Sequence, residues 1–125
     1  MVVIRKEQMD QMGDEEYRKF EEKMVAHLNE FFPDQCEELG EEEVRKAIAY
    51  GVNRAASYGI EIERDVCNYI DLMFAIGKDY DTDPDEPWAG QILNDESFET
   101  PTEKVNTLYD EALRRIDEVA RREEG

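Results

Sequence analysis

Apolar residues recur every three or four positions along most of this chain, and this spacing is the feature that most restricts how it can fold. Four separate stretches show it, and within each stretch the apolar side chains fall on one stripe of an α-helix. Alternation of apolar and polar residues, which would predict a β-strand, is confined to the short segment Tyr58 to Ile62. The pattern therefore predicts an all-α fold, a compact bundle of five or six helices.

Proline, glycine and acidic residues indicate where the helices begin and end. The helix with the broadest apolar face is expected to be central, with Ile70 and Phe74 buried. Whether the first helix continues upstream through Met9 and Met12 or breaks at Gly13 stays open. In chain order, the predicted helices are Asp14 to Phe32, a single turn at Cys36 to Leu39, Glu41 to about Tyr58, Glu63 to Gly77, Pro87 to Leu93, and Glu103 to Arg122 capped by Thr102.

A chain of 125 residues suits a single hydrophobic core, and neither an internal repeat nor an interdomain linker is apparent. We therefore expect one helical domain over 1–125, with the last few residues frayed. The N-terminus has only three apolar residues before charge begins, too few for a signal peptide, and no apolar run approaches the ~18 residues of a membrane span. These features predict a cytoplasmic protein. Cys36 and Cys67 lie at buried helix positions without a Cys-x-x-Cys partner, which favours two buried thiols over a disulfide.

The net charge of −18, from 33 acidic and 15 basic residues, restricts the partners more than the activity. Nearly every surface patch should carry a negative potential, so neither nucleic acid nor an anionic membrane is expected to bind. Basic proteins are the natural complement, because opposite fields speed encounter. The alternative is that the charge only maintains solubility.

No set of residues specifies a reaction, and an enzyme is not expected. His27 is the only histidine, and nothing in the spacing places Cys36 or Cys67 beside it as a nucleophile pair. A zinc site would need about four Cys and His ligands, whereas the chain has three such residues. The numerous acids form close pairs by chance, and phosphate-binding glycine loops are absent from the sequence. We expect no metal and no other cofactor.

The acidic loop from Asp79 to Trp88 is the most unusual local feature. It begins like a calcium loop, but Pro84 stands where such a loop requires glycine, and Gly90 where it requires a bidentate glutamate. Either its carboxylates cap turns, or the loop docks a basic partner, with Trp88 as an aromatic anchor or as a core residue sealing a helix junction. The candidate protein-binding residues are Asp79, Asp81, Asp83, Asp85, Glu86 and Trp88.

Three stretches of the chain form a distinctive series: HLNEFFPDQCEELG at 27–40, RAASYGIEIERDVCNYIDLMFAIGKDYDTDP at 54–84, and PWAGQIL at 87–93. Their most specific elements are YGI, RDV, DLMF and DTDP followed by PW. Over about 27 to 113, the chain resembles a group of small acidic helical proteins encoded beside bacterial type VI secretion spike, PAAR-tip and toxin genes. The resemblance implies a cytoplasmic chaperone or adaptor for a secreted effector or its loading factor, or an immunity protein that neutralises a basic toxin. It implies no catalytic residues.

Overall fold

The computed structural model describes residues 15–124, which form six α-helices and one 3₁₀ turn. This confirms the predicted all-α bundle, and residues 15–124 contain no β-strand. Met9, Met12 and Gly13 lie outside the described residues. The helices are α1 (Glu15–Phe31), α2 (Pro33–Leu39), α3 (Glu41–Ser57), α4 (Glu63–Ile76), α5 (Trp88–Leu93) and α6 (Pro101–Glu124), with the 3₁₀ turn at Tyr80–Thr82 between α4 and α5.

Helix α4 is the centre of the bundle, as its broad apolar face predicted. It packs against α1, α3 and α6, and Ile70 and Phe74 are both buried. Its closest approach is to α3 at Gly51, where a β-carbon would lie only 2.6 Å from Cγ1 of Ile70 and 2.8 Å from Sδ of Met73. Glycine at this position therefore lets the two helices pack closer than any side chain would allow.

Helix α6 begins with a reciprocal cap. The side-chain oxygen of Thr100 accepts a bond from the backbone N–H of Glu103 at 3.1 Å, and the Glu103 carboxylate accepts from the N–H of Glu99 at 3.2 Å. The prediction that Thr102 caps this helix is wrong, because its hydroxyl instead donates to the buried carboxylate of Asp65 at 2.6 Å. That bond ties the start of α6 to the start of α4.

The second half of α6 extends past the core. Val105, Leu108 and Ala112 are buried, whereas Ile116 and Val119 on the same stripe are exposed. The helix has 24 residues, but neither it nor any other helix within 15–124 is apolar enough over a sufficient length to cross a lipid bilayer. The exposed end of the stripe therefore forms part of the protein surface.

Replacing Gly51 with alanine should destabilise the protein. We expect crowding of Ile70 and Met73 to cost about 1–3 kcal/mol. The gain of about 1 kcal/mol that alanine brings as a better helix former offsets part of this cost, so the free energy of unfolding should fall by up to about 2 kcal/mol. Urea unfolding measures the stability of this variant. The control variant Ala49→Gly measures the effect of helix propensity alone on the same helix. A more stable Gly51→Ala variant would show that the two side chains move aside.

Candidate protein-binding surface

The acidic loop is anchored from inside the bundle by a buried carboxylate. Asp81 is only 3% exposed, and its Oδ2 accepts bonds from the guanidinium of Arg54, with Nε at 3.0 Å, and from the hydroxyl of Tyr58 at 2.7 Å. Burial and the bond to Asp81 raise the pKa of Tyr58 to about 12. Asp81 therefore belongs to the interior, and it is not available as an exposed contact of the candidate site.

The acidic loop contains a short 3₁₀ turn around Asp81, from Tyr80 to Thr82. Tyr80 is buried, and its hydroxyl donates to the backbone carbonyl of Tyr69 at 3.2 Å. Helix α5 lies against the turn at Gly90, where a β-carbon would be 2.7 Å from the carbonyl oxygen of Asp81. Tyr80 and Asp81 are both buried, so an aromatic ring and a carboxylate together attach this turn to the bundle.

The other predicted acids lie towards the outside of the loop. Asp79 accepts a hydrogen bond from the hydroxyl of Tyr50, and Asp83 accepts the N–H of Asp85 at 2.9 Å, which forms a side-chain-capped turn. Asp85 and Glu86 are exposed, and Asp83 is half-buried. Asp79, Asp81 and Asp83 therefore order the loop through hydrogen bonds, while Asp85 and Glu86 face solvent.

Trp88 both packs on the core and reaches the surface. Its half-buried ring contacts the hydrophobic core on one side, and the guanidinium of Arg115 lies 4.8 Å from the ring centroid. Arg115 also donates from Nε to Glu111 at 2.8 Å, and lies 3.7 Å from the Glu86 carboxylate. Arg115 thus links the acidic loop to α6 across the tryptophan.

An exposed apolar groove begins beside Trp88 and follows α6. It consists of two depressions of about 270 and 290 Å³, and Ile116 lines both of them. The groove was not predicted from the sequence. The spacing of apolar residues in α6 predicts an apolar stripe, but it does not show where along the helix the core ends. Five large apolar side chains line the groove and are themselves exposed to solvent: Phe31 (62%), Ile76 (36%), Leu113 (49%), Ile116 (41%) and Val119 (51%).

A second cluster, which the sequence did not indicate, lies between α1 and α4. Nε2 of His27 is 2.7 Å from Oδ1 and 3.0 Å from Oδ2 of Asp71, and the ligand atoms of His27, Asp71 and Cys67 all lie within 4.8 Å of one another. Within 15–124, these are the only His, Cys, Asp or Glu side chains that converge in a group of three or more. The carboxylates of the acidic loop form no such cluster there.

The electrostatic surroundings of Cys67 do not favour a thiolate, although His27 lies nearby. Burial, together with the negative charges of Asp71 and Glu63, raises the pKa of its thiol to about 12. Catalytic thiols have the opposite environment, in which a neighbouring cation lowers the pKa. In this environment the thiol of Cys67 is held in its protonated form at neutral pH.

Comparisons of the chain with protein-family models, with curated proteins and with solved structures found no match.

Replacing Asp81 with asparagine should destabilise the fold, although the same change at Asp85 should not. We expect Asp81→Asn to lower the free energy of unfolding by about 2–4 kcal/mol, because the Arg54 guanidinium loses its buried counter-charge. Asp85→Asn, at an exposed position of the same loop, should stay within about 0.5 kcal/mol of the parent. Equal effects in urea unfolding would contradict an internal role for Asp81.

Cys67 should react slowly with thiol reagents in the folded protein. With a pKa of about 12, its thiolate is scarce at pH 8, so we expect alkylation by iodoacetamide at least ~100-fold slower than in concentrated urea. Peptide mapping by mass spectrometry measures the rate at Cys67 separately from that at Cys36. Similar rates in the two states would instead indicate a reactive thiol.

Proposed function

We propose that this protein is a non-enzymatic binding factor that holds a basic, amphipathic segment of another protein in the apolar groove beside Trp88. The observation that supports this most directly is the groove itself. Five large apolar side chains are exposed along two depressions that meet at Ile116. Contiguous exposed apolar surface is costly in a folded protein unless a partner covers it.

The charge around the groove determines the chemistry of the partner. Asp83 and Glu86 line the depression beside Trp88, and Asp71 lines the other one. The chain as a whole carries a net charge of −18, so a segment with Lys or Arg flanking apolar anchors would be attracted and oriented. Apolar contacts with Trp88 and Ile116 would then lengthen the residence time, while the acids would accelerate association.

In cellular terms, we propose a chaperone or adaptor for a type VI secretion effector, on the basis of the resemblance of 27–113 to proteins encoded beside such genes. The second candidate is an immunity protein that neutralises a basic toxin, which the acidic surface favours. The two differ in outcome: an immunity protein abolishes the activity of its toxin in a tight one-to-one complex, whereas a chaperone stabilises or loads its effector without covering the active site. The third candidate function, a cryptic enzyme, would require a side chain that reacts with a substrate.

A carboxylate in place of an apolar side chain of the groove should weaken partner binding. We expect Leu113→Asp to weaken binding at least ~10-fold, because a buried unpaired carboxylate is strongly unfavourable. Leu39→Asp is the matched control, since Leu39 is similarly exposed (45% against 49%) but does not line the groove. A pull-down from the native host, read by mass spectrometry, identifies the partner. Surface plasmon resonance against the recovered protein then compares the affinities of the variants. Equal loss in both variants, or in neither, would exclude the groove as the binding surface.

The outer acids should control the rate of association. Replacing Asp83, Asp85 and Glu86 with their amides should slow association and weaken its salt dependence, while leaving the dissociation rate nearly unchanged. Because Trp88 is the only tryptophan, its fluorescence reports binding beside it directly. Unchanged association kinetics at two salt concentrations would remove the acidic loop from the interface.

A further inference from the structure

The cluster of His27, Cys67 and Asp71 has the donor set of a transition-metal site. It offers one imidazole nitrogen, one sulfur and one carboxylate oxygen, brought together from two helices. Cys67 and Asp71 are four residues apart in α4, so their side chains share one face of that helix. His27 meets this face from α1, 44 residues away from Asp71 in the chain. We propose that these three side chains bind a zinc ion.

The chemistry of the donors selects zinc over the more abundant hard cations. Calcium and magnesium take oxygen ligands, whereas thiolate and imidazole favour zinc and its neighbours in the transition series. On a tetrahedral zinc, with Zn–S about 2.3 Å and Zn–N about 2.0 Å, ligand atoms lie roughly 3–4 Å apart. The three atoms already lie within 4.8 Å of one another, so they need to approach by only about 1–2 Å to reach tetrahedral spacing.

The surroundings favour a cation at this position. The carboxylates of Asp71 and Glu63 place negative charge next to the Cys67 thiol, and Lys23, which lines the adjoining depression, is paired with Glu63 at 3.4 Å. Without a metal, the Nε2 of His27 and the Asp71 carboxylate share a proton in a hydrogen bond. Zinc would replace that proton and the thiol proton, because both ligands bind metal only when deprotonated.

Three protein ligands leave a fourth tetrahedral position for water or for a group from a partner. A depression of about 540 Å³ borders His27 and Cys67 on one side, and the groove depression borders His27 and Asp71 on the other. The side chains of His27 and Asp71 remain 31% and 15% exposed. The site is therefore enclosed by protein but accessible to an incoming ion.

The test uses untagged full-length protein, cleared of metal with a chelator and titrated with cobalt(II) as a spectroscopic substitute for zinc. We expect one equivalent of cobalt to produce a thiolate-to-metal charge-transfer band, which zinc then removes. Calorimetry with zinc in the presence of millimolar calcium and magnesium should give a dissociation constant tighter than about 10 µM. Because the chain contains two cysteines and one histidine, a thiolate band can arise only from Cys36 or Cys67.

Matched variants assign the ligands. Cys67→Ala should lose the band and weaken zinc binding at least ~100-fold, whereas Cys36→Ala should retain both; His27→Gln and Asp71→Asn should each weaken binding ~10–100-fold. Circular dichroism checks folding, and the band in the parent protein decides the question even if a variant unfolds. The proposal would be overturned if the parent protein gave no band, or if the band depended on Cys36. Equal zinc affinity in all folded variants would also overturn it, because that result indicates diffuse binding to the acidic surface.

Discussion

The ion pair between Arg54 and Asp81 determines where the surface features of this protein lie. An acidic loop with two prolines has little reason to pack on a bundle whose surface is already negative. The guanidinium of Arg54 provides that reason, since it draws one carboxylate of the loop inside, where Tyr58 also donates to it. The 3₁₀ turn that contains Asp81 also buries Tyr80, and α5 packs against this turn at Gly90. Trp88, the first residue of α5, is placed beside α6 as a result.

Helix α6 contributes to both the core and the candidate binding surface through one continuous stripe. Its first half seals the core against α4 with Val105, Leu108 and Ala112, and its second half presents Ile116 and Val119 to solvent. The hydrogen bond from Thr102 to Asp65 holds the start of α6 on α4. The exposed half thus projects from an anchored base, so groove substitutions can be made with little effect on the core.

The fold was predictable because helical spacing is a local signal, and each boundary was marked by proline, glycine or acidic residues. Errors arose where two nearby residues could serve the same purpose: Thr100 and Thr102 are both suitable caps, and only the tertiary contact of Thr102 with Asp65 separates them. The candidate site was predicted in part. Trp88 and the outer acids lie at the surface, whereas Asp81 is internal because of an arginine 27 residues away. The pairing of His27 with Asp71 was beyond reach, since nothing local distinguishes one carboxylate among 33 acids.

The division of the acidic loop into one inner and several outer carboxylates also bears on how such a protein can diversify. In the proposed binding role, substitutions at the exposed positions 85 and 86 would change the recognition surface, whereas the loop is held in place by positions 54, 81 and 83. Stability and specificity would then be encoded by different residues. Descendants of this chain could acquire new partners by drift at the exposed positions, without first passing through a destabilised intermediate.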